Sequence, residues 1–415
     1  MTLLRSTQSD IIFLVNIEKG LIMYDYLIIG NGISGLSAAE EIRKEDQDGQ
    51  ILIVSDENRL TYWRTRLSEL IEKDYTDEEI LVKKEAWYKE KNIEVKLGTH
   101  IDKIDKENKK AITKDGEEFE YNKLLIATGS HAFVPPIKNA DAEGVFAIRS
   151  SEDLKHFKDY LHDKKKLIII GGGILGLEAA NSISHLGIEI TIVEACDYLL
   201  PKQLDRDLSQ KLEKSLNDMG MKTLTCKFSE EILVKDGRVC GLKLKDGEEI
   251  EADAIMIQAG IRANIELAQN SGLATDRGIL VGENLQIEGE DIYAAGDVAQ
   301  IGNFSIGLWT ASMEMGKIAG ANMVGSNKLY EQPKPFSTLM LGDVKLFSAG
   351  QISGEGIEEL VKEDGEKIYK LFKSGDKYVG SILWGDIKYQ MDAKKIVFED
   401  TDPKETKLGK EIFGL

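Results

Sequence analysis

Two glycine-rich strand-to-helix turns constrain this chain more than anything else in it. The first is Gly30-Asn31-Gly32-Ile33-Ser34-Gly35, directly after the apolar run Tyr26-Leu27-Ile28-Ile29. The second is Gly171-Gly172-Gly173-Ile174-Leu175-Gly176, directly after Leu167-Ile168-Ile169-Ile170. Each has the GxGxxG spacing of a dinucleotide-binding fold. The first glycine, Gly30 or Gly171, permits the tight turn. The second, Gly32 or Gly173, lets a pyrophosphate reach the backbone. The third, Gly35 or Gly176, lets helix and strand pack closely. The helix that follows offers free N–H groups and a favourable dipole to phosphate.

From Met23 onward, short apolar runs alternate with helix-length periodic segments, the pattern of a parallel α/β sheet. An internal repeat strengthens this reading. Lys114-Asp115-Gly116-Glu117-Glu118 leads into Leu124-Leu125-Ile126-Ala127-Thr128-Gly129, and Lys245-Asp246-Gly247-Glu248-Glu249 leads into Ile255-Met256-Ile257-Gln258-Ala259-Gly260. Each Asp-Gly pair predicts a hairpin turn feeding a buried strand that ends at a glycine. Both halves thus carry fingerprint, acidic strand end, hairpin and glycine-terminated strand in the same order, as duplicated domains do. Beyond Glu331-Gln332-Pro333-Lys334-Pro335, Lys367–Phe372 and Tyr378–Leu383 flank the turn Ser374-Gly375-Asp376 and predict a small antiparallel sheet. The fold expected is α/β: two Rossmann-like nucleotide-binding domains plus a small α+β C-terminal domain. The boundaries expected are 23–138 with 272–330 for the first, discontinuous domain, 139–271 for the second and 331–415 for the third.

The N-terminal residues 1–22 stand apart. Glu18-Lys19-Gly20 would be encoded by a purine-rich stretch just upstream of Met23. We read this segment as a mis-called extension, with a disordered tail as the alternative. A net charge of −19 argues against binding nucleic acid or an anionic membrane. No apolar stretch approaches bilayer length. The three cysteines, Cys196, Cys226 and Cys240, form no CxxC pair, and the five histidines lack metal-ligand spacing, so no metal is expected. A reducing cytoplasm fits this cysteine usage. Cys226 and Cys240 flank a predicted hairpin and read as packing residues.

Two nucleotide sites in one chain imply that one cofactor reduces the other, electrons passing from a nicotinamide to a flavin. In the second half Glu194 should accept hydrogen bonds from the adenosine ribose. The residues after it, Ala195, Cys196 and Asp197, supply no cation for a 2′-phosphate, so NADH is favoured over NADPH. In the first half Asp56 is the choice for the flavin ribose and Glu57 the alternative. Asp297, after the apolar Ile292-Tyr293-Ala294-Ala295-Gly296, can accept from ribityl hydroxyls, or serve as an ordinary helix cap.

The chain from Met23 resembles the FAD-dependent pyridine-nucleotide reductases of the glutathione-reductase fold. Within them it is most similar to NADH:rubredoxin reductases and the flavoprotein part of assimilatory nitrite reductases. The resemblance rests on Tyr62-Trp63-Arg64-Thr65-Arg66-Leu67-Ser68-Glu69, on Ala127-Thr128-Gly129, on Ile292 through Asp297 and on Leu383-Trp384-Gly385-Asp386. It implies FAD in the first half and NADH in the second. It implies that Arg64 approaches the flavin, that Ile101 touches the adenine, that Trp309 and Thr310 flank the isoalloxazine, and that Glu178 lies near the nicotinamide. Ser34, Ile174, Leu175 and Gly260 join the expected cofactor contacts, and Arg64 and Glu178 are the residues expected at the chemistry.

Departures from the wider family are informative. Glu57 through Ser68 contains no cysteine, where disulfide reductases of this fold mount theirs, and Glu69 stands where many ferredoxin-type reductases have lysine. The implied reaction is hydride transfer from NADH to FAD, then single electrons to an iron protein such as rubredoxin, the chain acting as monomer or homodimer. Arg64 and Arg66 would form the docking patch. The alternatives are an NADH oxidase or diaphorase with a small-molecule acceptor, a nitrite reductase flavoprotein component, and a redox-sensing flavoprotein without turnover.

Overall fold

The computed structural model describes residues 23–304 and 307–415, so the expectation for residues 1–22 lies outside the described residues. The first apolar run forms β1 (Met23–Ile29), and α1 (Ile33–Glu45) and β2 (Ile51–Val54) follow. A short α2 (Glu85–Glu90) leads to β3 (Ile93–Lys96), β4 (Ile101–Asp105), β5 (Lys110–Thr113) and β6 (Glu118–Ile126). These strands lie side by side in the order β3-β2-β1-β6-β5-β4. β3, β2, β1 and β6 run parallel, while β4 and β5 join antiparallel. Leu27, Ile28 and Leu52 are fully buried, as strands covered on both faces require.

β7 (Ser130–Ala132), β8 (Val145–Phe146) and α3 (Ser151–Leu161) cross to the second half. There β9 (Lys166–Ile170), α4 (Ile174–Ser184), β10 (Glu189–Val193), α5 (Arg206–Asp218) and β11 (Met221–Leu224) repeat the first pattern. β12 (Ser229–Lys235), β13 (Arg238–Leu244) and β14 (Glu249–Glu251) form a separate antiparallel sheet, and β15 (Ala254–Ile257) returns to the parallel one. The parallel order is β11-β10-β9-β15-β8. The repeat differs here. In the first half the strand after the hairpin is continuous as β6. In the second it breaks at Ala252-Asp253, where the Asp253 carboxylate accepts from the Lys165 and Lys166 N–H groups at 2.8 and 2.9 Å.

The chain crosses back through β16 (Ile261–Ala263), which pairs antiparallel with β7. α6 (Glu266–Asn270) packs near β4, β17 (Ile279–Val281) precedes β18 (Ile292–Ala294), and β19 (Ala299–Ile301) pairs with β17. β18 joins β6 in the first sheet. α7 (Trp309–Met323) then lies against α1. The approach is close because a Cβ on Gly316 would stand 2.2 Å from the Ser34 carbonyl oxygen. Last come β20 (Phe336–Leu341), β21 (Val344–Gly350), β22 (Ile357–Asp364), β23 (Lys367–Ser374), β24 (Lys377–Trp384) and α8 (Gln390–Phe398). The five strands make one antiparallel sheet, with β23 and β24 joined by the Ser374–Asp376 turn. The α/β class, with one mainly parallel and one parallel sheet and a small α+β C-terminal part, is thus the architecture of the chain.

The buried clusters position the site. One gathers the first sheet, α1 and α7. Another joins the second parallel sheet to the C-terminal sheet and takes in Tyr62, Leu67, Leu70, Ile71 and Ile80 from the segment after β2. That segment is therefore anchored across the junction of the two halves. Among the described residues no helix is long and apolar enough to cross a membrane.

Candidate active site

Gly30 and Gly171 turn at φ +112° and +115°, where a side chain is strained. A Cβ at Gly30 would stand 2.2 Å from the Ala127 carbonyl oxygen, and one at Gly171 2.4 Å from that of Gln258. Each loop can pass beneath the neighbouring strand end only as glycine. Each then delivers the N-terminus of its helix to a cavity.

The second-half cavity, about 740 Å³, is lined by Gly171, Gly173, Ile174, Leu175, Gly176, Glu194 and Gly260. Glu194 lies one residue beyond β10. Its Oε2 accepts from the Gly172 N–H and its Oε1 from the Cys196 N–H, both at 2.7 Å. Two backbone donors fix the carboxylate at the rim. Lys202, from the loop after Glu194, and Lys227 and Lys245, from segments further along the chain, line the same cavity.

The first-half cavity, about 930 Å³, is lined by Gly30, Gly32, Ser34, Asp56, Glu57, Arg64, Ile101, Ala127, Thr128, Gly129, Gly296, Asp297 and Trp309. Gly35 lies behind the loop, where a Cβ would stand 2.0 Å from the Gly30 carbonyl oxygen. Two buried polar atoms here have no partner, Ser34 Oγ and Asn31 Nδ2. Unpaired donors of this kind beside an open helix N-terminus fit an anionic ligand. The two candidate ribose acids have different employment. Glu57 binds the Arg64 guanidinium and accepts from the Tyr62 hydroxyl at 3.0 Å. Burial pushes that hydroxyl up to about 12, which keeps it a donor. Asp56 is exposed, with His100 Nδ1 at 3.8 Å.

Asp297 is held from three sides. Arg149 Nη2 donates to Oδ2 at 2.7 Å, Ser130 Oγ to Oδ2 at 2.8 Å, and Ser312 Oγ to Oδ1 at 3.0 Å. Sequence reading missed Arg149, Ser130 and Ser312. Arg149 also donates from Nε to the Ser130 carbonyl, and its own carbonyl accepts from Arg64 Nη1, both at 3.0 Å. Arg64, Arg149 and Leu175 line both cavities, so the two sites meet there. Trp309 opens α7 and stacks on Trp63, ring centroids 5.5 Å apart.

Two expected site residues stand elsewhere. Thr310 is exposed and lines neither cavity. Glu178 is half-buried on α4 and also lines neither; burial, then the charge of Glu69, raises its carboxyl above the usual range. No group of His, Cys, Asp and Glu among the described residues could hold a metal ion.

Comparison with known proteins bears on this geometry. Residues 24–316 match the model of the pyridine nucleotide-disulphide oxidoreductases, and residues 335–401 match the Rubredoxin NAD+ reductase C-terminal domain. The chain belongs to the pyridine nucleotide-disulphide oxidoreductase family. It is 34% identical over 92% of its length to a nitrite reductase [NAD(P)H] of Bacillus subtilis, of which it spans 48%. It is 32% identical over 89% of its length to the NADH-rubredoxin oxidoreductase of Clostridium acetobutylicum, covering 93% of that protein. The crystal structure of the Clostridium acetobutylicum NADH:rubredoxin oxidoreductase matches with a TM-score of 0.78 and 30% identity, over 91% of this chain and 96% of that one. The family pairs FAD with a pyridine nucleotide, and this chain is a reductase of that kind.

The "disulphide" of the family name has no counterpart in the first-half cavity, whose lining contains no cysteine. All three cysteines are free and exposed. The expectation that Cys226 and Cys240 are packing residues is corrected. Cys226 occupies a left-handed turn at φ +56° between β11 and β12, and Cys240 points outward from β13 while Val239 and Gly241 turn inward. A strand alternates its faces, so a hairpin cysteine is as readily outside as inside. Cys196 lines the second-half cavity beside Glu194.

Proposed function

We propose that this reductase passes electrons from NADH through FAD to a one-electron iron protein of the rubredoxin kind. The observation that carries the reading is the meeting of two fingerprint cavities at Arg64, Arg149 and Leu175. The rubredoxin-reductase type of C-terminal domain supports the acceptor. Residues 23–138 and 272–330 form the FAD-binding unit in this reading, 139–271 the NADH-binding unit and 331–415 the third.

FAD fits the first-half cavity through the unpaired Ser34 Oγ and Asn31 Nδ2 and through the N–H groups of the Gly30–Gly35 loop. Bound there, FAD supplies a hydride acceptor that gives up electrons singly. The protein supplies the rest. Asp297 presents a carboxylate to ribityl hydroxyls while Arg149, Ser130 and Ser312 hold it in place. Asp56 is the free acid for the ribose, because Glu57 is committed to Arg64 and Tyr62. Thr128, Gly129, Ile101 and Trp309 complete the cavity walls. In the second cavity Glu194 receives the adenosine ribose, and Ile174 and Leu175 seat the nicotinamide end beside the junction. Orientation is the protein's main contribution, and no side chain here has to move a proton. Arg66, half-buried and paired with Glu69 at 3.0 Å, belongs to the carrier's docking face in this reading.

Anaerobic stopped-flow tests the reading. NADH should bleach the flavin rapidly, and rubredoxin should restore the oxidised spectrum faster than oxygen does. A flavin untouched by NADH would sink it. A second reading follows from the 34% identity to the nitrite reductase, in which this chain would be the flavoprotein part of a larger nitrite-reducing assembly. Copurification from native extract with a nitrite-reducing partner would favour that reading over the first.

A further inference from the structure

We infer that the acidic turn Asp246–Glu248, by holding Lys227, makes the second cavity reject an adenosine 2′-phosphate. The inference rests on the proposed NADH site and deepens it. Discrimination would ordinarily be assigned to Glu194 alone. Glu194, however, already receives two backbone N–H groups at 2.7 Å, and the segment Cys226–Phe228 runs directly against it. The Cys226 N–H donates to the Cys196 carbonyl at 2.7 Å, and the Lys227 N–H to the Glu194 carbonyl at 3.0 Å. Lys227 is thus fixed at the strand-end rim by its own backbone, and the residue lines the cavity. A lysine at that place is the cation that a 2′-phosphate would seek.

The fold takes this cation away. Lys227 Nζ donates to Asp246 Oδ2 and, at 2.8 Å, to Glu248 Oε2. Both acids sit on the turn between β13 and β14. The turn is tied down by Lys245 N–H donating to the Phe228 carbonyl at 2.9 Å and by Leu244 N–H donating to the Glu248 carbonyl at 2.8 Å. Two carboxylates on one ammonium leave that cluster net negative. A third carboxylate, Glu194, adds to it. A phosphate entering here would meet the carboxylates around Lys227 and would have to break two ion pairs to reach its ammonium. A ribose with free hydroxyls meets neither cost. Lys202 and Lys245 line the same cavity and are the rival cations. The test therefore has to separate Lys227 from them.

Calorimetric binding of adenosine 5′-monophosphate and adenosine 2′,5′-bisphosphate to the FAD-loaded protein does so without turnover. Wild type should bind the monophosphate and bind the bisphosphate at least about ten-fold more weakly. The double variant D246N/E248Q should gain about ten-fold for the bisphosphate, with monophosphate affinity within about two-fold. Raising salt should erase the gain. Adding K227M to the double variant should return bisphosphate affinity to the wild-type value. An unchanged bisphosphate affinity in the double variant overturns the inference. So does a gain that survives K227M, because Lys202 or Lys245 would then be responsible. A wild type that prefers the bisphosphate overturns it as well, while leaving a nucleotide site in place. If wild type binds neither ligand, the assignment of the cavity to a dinucleotide fails and the clamp fails with it. Thermal melts of both variants check that the exposed turn tolerates the changes.

Discussion

In the first half Gly30 turns at φ +112° under Ala127; in the second Gly171 turns at +115° under Gln258. The backbones agree further out. Ser55 N–H donates to the Lys96 carbonyl at 2.9 Å as Glu194 N–H does to that of Leu224 at 2.8 Å. Thr99 N–H donates to the Ser55 carbonyl at 2.8 Å as Lys227 N–H does to that of Glu194 at 3.0 Å. By this register Ser55 occupies the place of Glu194, and Thr99 that of Lys227. The frames match while the chemistry at the rim does not. The second half puts its acid at the strand end and pins it to its own loop. The first places Asp56 and Glu57 further along, spends Glu57 on Arg64, and brings a further acid, Asp297, from a remote segment. A duplicated backbone thus fixes where a dinucleotide can lie. The side chains mounted on equivalent positions decide which one.

If the frames are equivalent, they should break alike. Gly30→Ala and Gly171→Ala should each cost well over about 1 kcal/mol, because the new Cβ meets both a disfavoured φ and a backbone carbonyl. Calorimetry should show two similar losses; a silent substitution in one half would separate the frames. The rims should break differently. Asp297→Ala should weaken FAD retention by about ten- to a hundred-fold, since a charge-assisted hydrogen bond goes and Arg149 loses its partner. Glu194→Ala should only raise KM for NADH several-fold, roughly the value of one ribose contact, with less effect on NADPH. Full FAD occupancy after gel filtration of the Asp297 variant would undo this contrast.

Smaller effects sharpen the picture at the exit for electrons. Replacing all three cysteines by serine should leave rubredoxin or ferric-dye reduction near wild type, because none lines the first cavity. Arg66→Glu should slow the protein acceptor at low salt and much less at high salt. Arg64 is a poorer probe, since it bridges Glu57 and the Arg149 carbonyl. Loss of acceptor turnover in the thiol-free protein, with flavin bleaching intact, would point to a thiol relay. The smallest effect concerns Glu178. Its folded carboxyl titrates above its ordinary 4.5, raised by burial and then by Glu69. The folded state therefore holds that proton more tightly than the unfolded state. The stability this confers is full below the ordinary value and is lost as pH rises through the folded one. Glu178→Gln should accordingly melt higher than wild type at neutral pH, with the advantage gone at roughly pH 4.

What this sequence determined unaided is what is local. The two glycine fingerprints, their strands and helices, the Asp-Gly hairpins and the β23–β24 turn are set by residues within a few positions of one another. Periodicity and turn chemistry therefore suffice to read them. Glu194 was legible for the same reason, lying at the end of its own strand. The tertiary structure decided what depends on distant segments. Arg149 reaches Asp297 across 148 positions, and Lys227 is claimed by acids 19 and 21 residues away. No pattern along the chain announces such pairs. They arise only when folding brings charges to one rim, where a buried or half-buried ion must find a partner. The same cause explains Cys226 and Cys240. A hairpin's existence can be read from its turn, but the face it shows to solvent is chosen by the sheet on which it lands.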